Sequence, residues 1–166
     1  MPKTTAPLSP PAEIRLGWLG EAVAYNLRLA QAASFQAFAA LTGETGLRPG
    51  RYALLQLIAE NPGLSQTELS RAAGRDKTTL TPALNEMERH GLITRTPHPT
   101  DRRGRMLRLT AQGETSRARL AACAARHDAR LDAILGTAGK AELNRMLRLI
   151  TSALGDAAPA GSTQED

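Results

Sequence analysis

The chain has 166 residues, enough for one compact domain or two small lobes. Apolar residues reach 42% while aromatics are only 3%, so a core must come from Leu, Ala, Ile and Val, a mixture that favours helices when Arg and Glu are also abundant. The lone Cys123 excludes an internal disulfide framework, no apolar run approaches a membrane span, and Met1 to Pro11 lacks the apolar stretch of a signal peptide; a soluble cytoplasmic protein is expected.

The net charge is +5, and its placement is informative. Residues 71–108 hold nine Lys/Arg and four acids, while the rest of the chain carries equal numbers of each sign. A localised basic stripe suits a phosphate backbone, although alone it is equally a solvated face.

In chain order, residues 1–12 read as a disordered arm. Leu16, Leu19, Val23, Leu27, Ala30, Ser34, Phe38 and Leu41 recur at steps of three and four, predicting a first long helix from Glu13 to Leu41. Gly43 and Gly46 end it. Pro49 suits the first turn of a second helix carrying Tyr52, Leu54, Leu55, Leu57 and Ile58, which Asn61-Pro62-Gly63 stops. Ser65-Gln66-Thr67-Glu68 is a capping-box signature for a short third helix. Gly74 marks a tight turn, and Asp76 is placed to cap a fourth helix running to about His90.

The period then changes. Ile93 to Thr96 and Arg105 to Leu109 predict two strands, joined by a polar hairpin from Pro97 to Gly104. Thr110 is expected to cap a fifth helix to about Leu135. Gly136 to Gly139 break it, and a sixth helix carries Leu143, Met146, Leu147, Ile150 and Leu154. Residues 155–166 read as a flexible tail.

Helix, tight turn, helix and basic hairpin follow the winged helix-turn-helix order. In the fourth helix, Leu80, Ala83, Leu84 and Met87 share one face and are expected to pack on Leu69 and Ala72. Thr78, Thr81, Pro82, Asn85 and Arg89 occupy the opposite face, which in this motif enters the major groove. Hydroxyls there suit phosphates or base edges, and a Thr methyl suits a thymine methyl. Asp101-Arg102-Arg103-Gly104-Arg105 puts three guanidinium groups on the hairpin, where a protruding Arg suits the narrow minor groove. Asp101 is expected to pair with Arg103 and orient it.

Leu64 to Leu69, Glu86 to Ile93, and Asp101-Arg102-Arg103-Gly104-Arg105 leading into Leu107-Arg108-Leu109-Thr110 carry a family resemblance. The chain resembles the MarR family of bacterial regulators over most of its length. The resemblance implies a mainly α fold with a small β-wing, namely a winged helix-turn-helix lobe over residues 47–109 and a helical dimerisation region over residues 13–46 and 110–154. It implies a homodimer, a palindromic duplex-DNA operator, and release by a small effector such as an aromatic acid or an acyl-CoA. The expected DNA-binding set is Ser65, Gln66, Arg75, Lys77, Thr78, Thr79, Thr81, Asn85, Arg102, Arg103 and Arg105. Pro82 departs from the family pattern. It removes the bond to the Thr78 carbonyl and is expected to bend the helix, leaving that carbonyl to the Thr78 or Thr81 hydroxyl or to water.

For the effector, Trp18, Tyr25, Arg28, Phe38, Arg51 and Tyr52 are candidate ligands, with Arg51 or Arg28 meeting a carboxylate; the aromatics serve equally well as filling for a sparse core. His90, His98 and His127 have no metal-ligand spacing, Cys123 fits the apolar pattern of the fifth helix, and no nucleophile–base pair or phosphate loop is visible. No metal, cofactor, catalytic site or membrane partner is expected. The alternative is a winged-helix module that binds another protein without sequence-specific DNA binding.

Overall fold

The structure, a computed structural model, describes residues 14–43, 49–97 and 105–155. Internal contacts divide the chain into two compact units, Met1–Gln36 and Ala37–Asp166.

In the first unit a 3-10 turn, Gly17–Glu21, precedes helix α1, Val23–Thr42. The expected helical start at Glu13 is therefore corrected. Gly17 adopts φ 55°, the left-handed region, and Ala22 is extended, so the chain cannot wind continuously from residue 13. The Asn26 side-chain amide braces the turn by donating to the carbonyls of Gly20 at 2.9 Å and Ala22 at 3.1 Å. The apolar row expected on this helix stays largely open to solvent: Leu16, Leu19 and Val23 are all exposed.

The second unit holds the end of α1, then α2 (Pro49–Glu60), α3 (Gln66–Ala73), α4 (Lys77–Arg89), β1 (Ile93–Pro97), β2 (Arg105–Leu109) and α5 (Ala111–Gly155). Leu54, Leu55 and Ile58 of α2 are buried with Leu69 of α3 and with Leu80, Leu84 and Met87 of α4. Leu92, Ile93, Leu107, Leu120 and Phe38 complete this core. Burying each such side chain fully contributes about 1.5–3 kcal/mol, so the core alone fixes the three-helix arrangement. Ala73, not the exposed Ala72, joins it from α3. Gly74 (φ 59°) ends α3 one residue later and turns the chain towards α4.

The strands pair antiparallel, with Ile93 opposite Leu109 and Pro97 opposite Arg105. A third segment lies against the other edge of β2. Gly63 N–H donates to the Leu107 carbonyl at 3.1 Å, and Leu107 N–H donates to the Leu64 carbonyl at 2.9 Å. The two residues before the cap of α3 are thus pinned to the wing strand.

Thr110 begins α5, its hydroxyl accepting from Gly113 N–H at 3.0 Å. The expected break between a fifth and a sixth helix is present within α5, at Gly136 alone (φ 65°, ψ 169°), while Gly139 is helical. Lys140, beyond the break, reaches back to Asp128 and Asp132, each at 2.7 Å.

Two glycines make opposite predictions. A Cβ on Gly113 would lie 2.0 Å from the Leu92 carbonyl oxygen, whereas one on Gly139 meets only the Leu135 Cβ at 3.7 Å. Gly113→Ala should cost about 3 kcal/mol, the upper range for overpacking. Gly139→Ala should stabilise by up to about 1 kcal/mol through helix propensity. Thermal or urea melts of the two variants check this.

Candidate nucleic-acid interface

The interface is assembled on α3, α4 and β2. Ser65 caps α3, its hydroxyl accepting from Glu68 N–H at 3.2 Å while the Glu68 carboxylate accepts from Ser65 N–H at 2.8 Å. The capping box read from the sequence is therefore formed in both directions. Asp76 caps α4 in a similar way, accepting from Thr79 N–H at 2.7 Å.

Side-chain packing decides which face of α4 is presented. Leu80, Leu84 and Met87 are buried, and the remaining surface carries Lys77, Thr78, Thr79, Pro82, Asn85 and Arg89, all exposed, with Thr81 half-buried. α4 runs through Pro82 without interruption. Of the three partners expected for the Thr78 carbonyl, neither threonine hydroxyl serves it, which leaves water. Thr81 donates instead to the Lys77 carbonyl at 2.7 Å, and Thr78 donates to the Asp76 carboxylate.

The Asp76 carboxylate is held at about 2, below its ordinary 3.8. The Thr78 hydroxyl is the leading cause, followed by the Thr79 N–H and the Thr79 hydroxyl at 2.9 Å. Across from it, Gln66 Nε2 donates to Thr81 Oγ1 at 2.7 Å and links the two helices of the motif.

Two acidic residues with no visible role in the sequence clamp the far end of α4. Glu86 pairs with Arg51 of α2 and lies 3.8 Å from His90. The hydrogen bond from Arg51 is the first cause of a lowered Glu86 pKa. Glu88 pairs with Arg95 of β1 at 2.6 Å. Arg51 is distant in sequence and Arg95 lies on the strand after α4, so no helical spacing announces either pair. His90 sits at the C-cap of α4, as expected.

The expected DNA-binding residues thus fall into groups. Ser65, Gln66, Lys77, Thr78, Thr79, Thr81 and Asn85 come together on α3 and α4. Arg105 is exposed at the start of β2. Arg75 is folded back, its guanidinium filling the space a Cβ on Gly50 would need, 2.0 Å away. Arg102 and Arg103 lie outside the described residues, as do Asp101 and His98.

The effector candidates divide between the two units. Trp18, Tyr25 and Arg28 belong to the first, where Arg28 stands 5.4 Å over the Tyr25 ring and Trp18 is 76% exposed. Phe38, Arg51 and Tyr52 belong to the second. There Phe38 stacks on Tyr52 at 6.2 Å and meets the His127 ring edge-on at 5.8 Å. The sequence spacing of His127 carries no signal for this contact, which joins α5 to α1. Cys123 packs beside this core and donates from Sγ to the Leu41 carbonyl at 3.3 Å.

A helix-turn-helix with a two-stranded wing, a capped second helix and an outward polar face defines the class as a winged-helix regulator. Comparison with known proteins agrees. The MarR family model matches residues 47–104. The chain is 37% identical over 138 residues to a putative transcriptional regulatory protein for the hcr operon of Thauera aromatica, covering 82% of this chain and 83% of that protein. Among solved structures it resembles the transcriptional repressor CouR. CouR bound to a 23-mer DNA duplex aligns with a TM-score of 0.76 and 34% identity, over 84% of this chain and 99% of that one. CouR bound to p-coumaroyl-CoA aligns with a TM-score of 0.76 and 32% identity, over 84% and 98%. The chain belongs to the MarR family of transcriptional regulators.

The lowered Asp76 pKa sets a pH prediction. A carboxylate whose pKa falls on folding stabilises the native state above about pH 4 and loses that contribution as pH drops towards 2. The melting temperature of the wild type should therefore fall more steeply than that of Asp76→Asn across this window. Parallel slopes in a pH series of thermal melts would contradict the assigned bonds.

Proposed function

We propose that the chain is a ligand-responsive repressor that binds a palindromic duplex operator as a homodimer. The observation that carries this is the α4 face. Its threonines, Pro82 and Asn85 are turned away from the core, and β2 with Arg105 is pinned beside the start of α3. The likeness to DNA-bound CouR over nearly the whole of that protein supports it. Recognition helices of two copies would enter successive major grooves, with Lys77 and the wing arginines Arg102, Arg103 and Arg105 neutralising phosphates. Residues 47–109 would form the DNA-binding domain, and residues 13–46 with 110–154 the dimerisation region. The exposed Ile134, Leu149 and Leu154 of α5 provide apolar surface for the latter.

CouR bound to p-coumaroyl-CoA supports an effector of the aromatic acid or acyl-CoA class. Phe38 and Tyr52, stacked in the second unit, would meet an aromatic group. Arg51 is committed to Glu86, so an effector carboxylate that took Arg51 would release one of the two clamps on α4. The protein acts as a cytoplasmic regulator and not as an enzyme; among the described residues no helix is long and apolar enough to cross a membrane.

The test is duplex binding as a function of salt, using genomic fragments enriched by the protein. Affinity should fall steeply as salt rises, and Lys77→Ala and Arg105→Ala should each flatten the logarithmic slope by about 1. Binding without salt dependence would favour the protein-binding module instead.

A further inference from the structure

We propose that Thr78, Thr79 and Pro82 make the outward face of α4 a reader of A·T base pairs, because every threonine proton on that face is already committed inside the protein. The inference rests on the DNA-binding role proposed above and deepens it.

A hydroxyl has one proton, and carboxylates and carbonyls only accept. The bonds from Thr78 and Thr79 to Asp76 therefore use both of their protons, and the bond from Thr81 to the Lys77 carbonyl uses its own. Thr81 Oγ1 must then accept from Gln66, which turns the donor end of that amide inward as well. What remains outward on Thr78 and Thr79 is oxygen lone pairs and γ-methyl groups.

Pro82 extends the same surface. It lies four residues after Thr78, hence on the same helix face, and it is exposed. Its ring is apolar, and having no N–H it leaves the Thr78 carbonyl without its usual helical donor. Between Lys77 at one end and Asn85 at the other, both able to donate, the side chains of this stretch offer only acceptors and apolar atoms.

The major-groove edges respond differently to such a face. Guanine shows two acceptors, N7 and O6, and meets it lone pair against lone pair. Cytosine offers an amino group but no methyl. An A·T pair offers both complements, the adenine N6 amino donor and the thymine 5-methyl group. The face therefore selects A·T where it sits and excludes guanine, with the methyl contact separating thymine from cytosine.

The test begins with the unaltered protein. Duplexes selected from a randomised pool should carry thymine at a fixed position in each half-site. Replacing those thymines by uracil, which deletes only the 5-methyl group, should weaken binding roughly tenfold, within the range for a single mismatched pair. Thr78→Val keeps the γ-methyl group and should keep the thymine preference; Thr78→Ser removes it and should lose that preference. Asp76→Asn still caps α4 but offers one acceptor oxygen in place of two, so a freed threonine proton should let guanine enter the selected position. Equal affinity for the thymine and uracil duplexes, with salt-dependent binding intact, overturns this inference alone. Absence of salt-dependent binding to any duplex overturns the DNA-binding role with it.

Discussion

The burial of Leu80, Leu84 and Met87 is the constraint on which the rest depends. These three side chains fall at steps of four and three on α4 and pack with Leu69 and the α2 leucines. A helix held by one such stripe has a single rotational setting. Every outward residue is fixed by that choice, so Thr78, Pro82 and Asn85 face solvent because the leucines face inward. The polar interactions refine the setting. Asp76 secures the first turn, while Glu86 and Glu88 tie the last two turns to α2 and β1 through Arg51 and Arg95. Ion pairs at this level of exposure add little stability individually, but they resist rotation and sliding of a helix whose angle matters to function.

The wing is coupled to the same body by backbone bonds. Gly63 and Leu64 extend the sheet by pairing with Leu107, so the cap of α3 and the strand carrying Arg105 cannot move independently. Thr110 continues the coupling: its hydroxyl donates to the Gly91 carbonyl while accepting from Gly113 N–H. The segment that leaves α4 and the helix that follows the wing therefore share one threonine. This explains why Gly113 tolerates no side chain. The start of α5 is pressed onto the Leu92 carbonyl, where α4 hands over to β1.

Local signals made much of this legible in the sequence. The capping box at Ser65 and Glu68, the left-handed Gly74, the Asp76 cap and both strands involve residues within a few positions of each other, and each is written in residue type and spacing. The interactions that hold α4 in place were not legible. Arg51 and Glu86, or Gln66 and Thr81, meet only after α2, α3 and α4 have packed. The start of α1 is not legible, because an apolar period of three to four residues runs across Gly17 and Gly20, and periodicity carries no information about backbone sign. The inward turn of the Thr78 hydroxyl to Asp76 is hidden for a related reason. A threonine near a helix start has a competing partner in the capping carboxylate, and its choice is decided by geometry rather than composition. Aromatics near arginines mark the effector candidates in the sequence, yet Arg51 and Arg28 are each engaged already, with Glu86 and with Tyr25.

That α4 meets the duplex through its Thr78–Asn85 face is tested most directly by cross-linking. A photoreactive side chain placed at Asn85 should join covalently to a bound duplex on illumination, while the same group at exposed Arg145 on α5 should not. Efficient cross-linking from residue 145 with none from residue 85, at equal occupancy of the DNA, would contradict the account.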